Sequence, residues 1–100
     1  MHFVITYGSL GGTPEQIAGV NRSIEQALKP YQNYKALGNT YIVKINSVTD
    51  WQIILQIIGP IAQSAPIPVN FIMTPPHESG STYNGWMPMS AWSEINKLTS

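Results

Sequence analysis

The stretch Thr6-Tyr7-Gly8-Ser9-Leu10-Gly11-Gly12-Thr13 separates an alternating apolar run from Pro14-Glu15-Gln16. Glycines let backbone N–H groups come close to a ligand, and a helix start adds free donors and the positive end of a dipole. Gly8, Ser9, Gly11, Gly12 and Thr13 are therefore candidate ligands for a small anion or the phosphate of a nucleotide. No lysine follows in the manner of a P-loop, and the glycine spacing does not match the dinucleotide fingerprint. A tight structural corner is the favoured reading of this stretch, and an anion cradle is its alternative.

The other groups with chemical potential are sparse. His2 and His77 are the only histidines, and Glu78 follows His77 on a proline-rich stretch. A His-Glu pair can transfer protons, but a solvated loop end is the simpler reading. Without cysteine there is no disulfide, no thiol catalysis and no thiolate-bound zinc. No G-x-S-x-G elbow marks a serine nucleophile. No catalytic residue, metal ligand or cofactor is assigned.

The elements that must position these groups follow from periodicity. His2 to Tyr7 alternate as a strand, and Thr13 caps a helix with Pro14 at its first position and Gln16 closing a capping box. Ile17, Val20, Ile24, Ala27, Leu28 and Tyr31 form one apolar stripe on that helix, which ends near Pro30. "NYKALGN" reads as a short strand and turn, and "TYIVKIN" as a second clear strand. A second helix follows, capped by Ser47 with Asp50 or by Thr49 with Gln52, and Gly59-Pro60 is expected to kink or end it. "PVNFIMT" is the last core strand. "SAWSEINKL" is a short helix anchored by Trp92 and Ile95, and "WMP" is a candidate extra strand. Met73, Met87 and Met89 are expected to fill gaps.

The order strand, helix, strand, strand, helix, strand predicts an α+β domain of the ferredoxin-like βαββαβ type. Four antiparallel strands carry two helices on one face, residues 1–75 form the core, and residues 76–100 form a C-terminal extension. One hundred residues suit one domain. Only 10% of them are charged, a low share that often accompanies a surface covered by a partner. The net charge is zero and the lysines are scattered, which disfavours a nucleic-acid grip. The opening residues lack the pattern of a signal peptide, and the most apolar stretch is too short for a bilayer, so a cytoplasmic protein is expected.

Phe3, Ile5, Tyr7, Tyr41, Val43, Ile45, Val69, Phe71 and Met73 share the sheet face expected to pack the helices. On the opposite face Val4, Ile42 and Ile72 form an apolar centre inside a polar frame, the anatomy of an interface. A homodimer through the sheets is the leading expectation, with Val4, Ile42, Ile72, Trp86 and Trp92 at its contact. The alternative is that the C-terminal tail folds over this face. Under the dimer reading, Ile42→Asp breaks the dimer and leaves the monomer folded.

"MHFVITYGSL", "YKALGNTYIVKINS" and "NFIMT" followed by a tail with "GW" resemble the small CRISPR-associated protein-two superfamily, closest to its stand-alone SinR-like bacterial branch. The resemblance implies a ferredoxin-like fold and a homodimer formed through the sheets. Among the relatives it points to are metal-dependent nucleases and purely structural partners in DNA integration. The family's metal-linked aspartate ends the first strand after the tyrosine, and here Gly8 stands in its place. A hard divalent cation prefers carboxylates, so the expectation is a non-catalytic binding module. Its ligand is a protein partner or a small anion, with nuclease activity or a ligand-free accessory role as alternatives.

Overall fold

The computed structural model describes residues 1–78 and 89–99. Strand β1 (His2–Ser9) leads into helix α1 (Pro14–Leu28), then the hairpin of β2 (Asn33–Leu37) and β3 (Thr40–Lys44), helix α2 (Val48–Ser64), strand β4 (Val69–Met73) and helix α3 (Met89–Thr99). The strands form one antiparallel sheet in the order β2-β3-β1-β4. The fold is thus α+β, with four strands and three helices. Among the described residues no helix is long and apolar enough to cross a membrane.

Local chemistry sets these boundaries. Thr13 is extended and accepts a hydrogen bond from the Gln16 N–H, while the Gln16 side chain accepts one from the Thr13 N–H. These reciprocal bonds form the expected capping box. Ser47 caps α2 through the Asp50 N–H, and the Asp50 carboxylate accepts from the Asn46 N–H, which selects Ser47 over Thr49. Helix α2 does not end at Gly59-Pro60 but runs on to Ser64. Pro60 sits on the exposed side of the helix, where water can hydrate the carbonyl that lost its partner.

Two apolar layers flank the sheet. On one side Phe3, Ile5, Tyr41 and Val43 meet Val20, Ile24 and Leu28 of α1 and Ile54 and Ile58 of α2. On the other side Ile42 is buried against Ile95 and Leu98 of α3, with Val4, Tyr34, Ala36 and Trp92 around them. Helix α3 lies over β2 and β3. The expected anchors Trp92 and Ile95 both face the sheet. Met89 does not fill a gap: it starts α3 at 85% exposure. Met87, Trp86 and the candidate strand "WMP" lie outside the described residues.

Candidate functional site

The glycine-rich stretch is tighter than a loop. Gly8 and Ser9 belong to β1, paired with Asn70 and Val69 of β4, and the Leu10 N–H donates to the Pro68 carbonyl. The turn proper is Gly11 and Gly12, with φ of 78° and 96°. A Cβ on Gly12 would stand 2.7 Å from Cγ2 of Ile67, a buried side chain that closes the turn from behind. Some donors of the helix start are already engaged: the Thr13 and Gln16 N–H groups serve the capping box, Pro14 has none, and the Ile17 N–H binds the Thr13 carbonyl. Glu15 places a carboxylate in the first turn. The stretch is thus a tight turn between β1 and α1, closed from behind by Ile67.

The residues expected at an interface fall into two groups. Ile42, and beside it half-buried Val4 and Trp92, pack with α3 of the same chain. Ile72 stays clear of α3 at 68% exposure, next to Thr6, Gly8 and Asn70. Among the described residues the tail helix therefore covers β2 and β3, with Val4 of β1 beside it, and leaves Ile72 of β4 exposed.

The histidines come together although 75 positions separate His2 from His77. Their backbones exchange hydrogen bonds of 2.9 and 2.7 Å, and their rings stack with centroids 5.7 Å apart. This bridge ties the chain after β4 back to the start of β1. Burial first, then the facing His77 and the N-terminal ammonium, hold the His2 imidazole below its usual pKa. The unfolded chain then takes up that proton before the folded one. Stability is full above about pH 6.5 and falls on acidification, by up to about 1.4 kcal/mol per pH unit. Chemical denaturation at pH 7.5, 6.5 and 5.5 reads this slope, and His2→Phe is expected to flatten it.

A polar cluster that periodicity could not reveal joins α1 to the sheet. The Tyr7 hydroxyl donates to Oδ1 of Asn21 at 2.8 Å, and the Tyr41 hydroxyl to Oε1 of Glu25 at 3.2 Å. Lys35 meets the same carboxylate at 3.4 Å and lies over the Tyr41 ring. Burial is the first cause that pushes both phenols above their usual range, and the nearby Glu25 charge adds to it. Both stay neutral at physiological pH and act as hydrogen-bonding struts rather than bases. Among the described residues no group of three or more metal-ligating side chains forms.

Part of the exposed surface is apolar and uncharged. From Trp51 to Pro76 the sequence holds no Asp, Glu, Lys, Arg or His. This run builds α2, the following turn and β4. Ile53, Leu55 and Ile57 are exposed on α2, and Ile72 on β4. Between α2 and β4 runs a groove of about 710 Å³ lined by Leu55, Gly59, Ala62, Val69 and Phe71, with the uncharged polar side chains of Gln56, Gln63 and Asn70. Among the described residues no strand pairs with the outer edge of β4. The gap in the charge pattern was visible in the sequence; its meaning depended on which side of α2 faced out. Comparison with family models, curated proteins and solved structures finds no match to this chain, so the site is argued from its own geometry.

Proposed function

We propose that this protein is a non-catalytic interaction module that works as a homodimer on a ferredoxin-like scaffold. The succession β1-α1-β2-β3-α2-β4, with β1 and β3 central in the sheet, supports the split βαβ reading of that scaffold. One observation carries the functional reading. From Trp51 onward the surface of α2 and β4 exposes Ile53, Leu55, Ile57 and Ile72 among uncharged polar residues and holds no ionisable group, whereas the ionisable groups elsewhere are dispersed or engaged in struts and bridges. Depletion of charge at an exposed apolar patch is the mark of an interface core. Catalysis instead needs titratable groups gathered in a cleft. The consumed donors at Thr13 and Gln16 favour a protein partner over a small anion.

Native mass spectrometry of the purified chain tests this reading. The expected result is a dimer of bare chains, with no cleavage of RNA or DNA in the presence of magnesium. A retained nucleotide mass, or cleavage abolished by a chelator, overturns it.

A further inference from the structure

The two edges of the sheet are built differently. The β2 edge carries Lys35, held by Glu25, and a register shift between Lys35 and Leu37. A charged side chain and a bulge are the usual means of keeping an edge from pairing with another chain. The β4 edge has neither: Val69-Asn70-Phe71-Ile72-Met73 is regular and uncharged, with Asn70 its one polar residue. Prolines at positions 66, 68, 75 and 76 bracket it, so any partner strand is confined to this short span.

The pairing with β1 says which backbone groups are available. The Thr74 N–H donates to the Val4 carbonyl and the Leu10 N–H to the Pro68 carbonyl, so the even-numbered residues of this segment face β1. Backbone groups alternate along a strand. Val69, Phe71 and Met73 therefore direct their N–H and C=O groups outward. That set is self-complementary about its middle residue.

We propose that the outer edge of β4 is the seam of the dimer. A second copy of this chain pairs its β4 antiparallel about a two-fold axis through Phe71, and the sheet continues across both copies. This assignment rests on the interaction-module reading above and names its partner and contact. Phe71 exchanges both backbone bonds with the partner's Phe71, and Val69 pairs with the partner's Met73, giving about six hydrogen bonds in all. Above the seam the groove side of each α2, with Leu55, Gly59 and Ala62, meets its copy. An isologous contact sets every side chain near its own copy. A charged face would repel itself there, and this face has no charge on it. Its size is also sufficient. The 17 residues of α2 extend roughly 25 Å, and a helix layer on a sheet layer is roughly 20 Å deep. The seam then covers about 500 Å² per copy, or about 1,000 Å² in total, the lower bound for a specific interface.

Disulfide trapping tests the seam, since the chain has no cysteine of its own. In the proposed register Asn70 lies opposite the partner's Ile72 as a non-hydrogen-bonded pair, with Cα atoms about 4.5 Å apart, inside the range a disulfide spans. Both side chains are exposed, so the double variant Asn70→Cys/Ile72→Cys keeps the fold. After mild oxidation most of this variant is expected to run as a covalent dimer on a non-reducing denaturing gel. Leu37→Cys, on the β2 edge, is expected to give at least tenfold less. A native dimer in which the double variant cross-links no better than Leu37→Cys overturns the seam and leaves the interaction module standing. A chain that is monomeric at all concentrations overturns both, including the case in which the edge takes a strand from an unrelated protein.

Discussion

Ile42→Asp is expected to release α3 while the rest of the sheet stays folded. Ile42 is 5% exposed, beneath Ile95 and Leu98. An aspartate there would be a buried carboxylate with no hydrogen-bond partner supplied by its apolar neighbours. That costs about 4 kcal/mol or more if α3 remains in place. Helix α3 touches the sheet over β2 and β3, whereas the larger core, with Phe3, Ile24 and Ile58, lies on the opposite face. The cheaper response is local: α3 lifts and the carboxylate reaches water. Hydrogen exchange should show the Ala91 to Leu98 amides losing protection while those of β1 and α1 keep it. If the variant keeps a protected α3 and instead loses its dimer, the second face of the sheet is the interface after all.

The glycine turn supplies the second large effect. Gly12→Ala is expected to cost about 3 kcal/mol, against about 1 kcal/mol for Gly11→Ala. Both glycines have positive φ, where an L side chain carries roughly 1–2 kcal/mol of strain. They differ in surroundings. A Cβ on Gly11 meets nothing within 4 Å, whereas one on Gly12 meets Cγ2 and Cδ1 of Ile67 at 2.7 and 2.8 Å. Ile67 is β-branched, stiff and 7% exposed, so it cannot move aside freely, and overpacking adds about 1–3 kcal/mol. Urea unfolding of the two variants measures the gap. Equal costs would mean that Ile67 does not close the turn, and the anion reading would regain ground.

These outcomes mark how far the sequence carried the structure. Thr13, Pro14 and Gln16 announced α1 because a capping box is written in adjacent residues. The strand faces were legible because Phe3, Ile5, Tyr41 and Val43 alternate with period two. Trp92 and Ile95 revealed a helix by their spacing, but not the half of the sheet that it covers. The His2–His77 bridge and the Tyr41–Glu25 strut were illegible for another reason. Each joins residues far apart in the chain, and no local pattern encodes such a pair. Pro60 does not end α2, although it removes one backbone bond and crowds the preceding turn, because the tertiary packing of the helix outweighs that local cost. At the candidate site, Gly8 and Ser9 looked like loop because the pairing that makes them strand is supplied by Asn70 and Val69.

The strand order also governs how the chain finds its structure. The first strand made is a central one, and its neighbours β3 and β4 come tens of residues later. Only the β2-β3 hairpin can zip locally. The other two ladders must wait for α1 and α2 to bring distant segments together, and that loop closure is an entropic barrier. Such a topology is expected to fold more slowly than a helical bundle of the same length. Until β1 and β4 pair, the uncharged strand Val69–Met73 is without its ladder, a state open to misassembly.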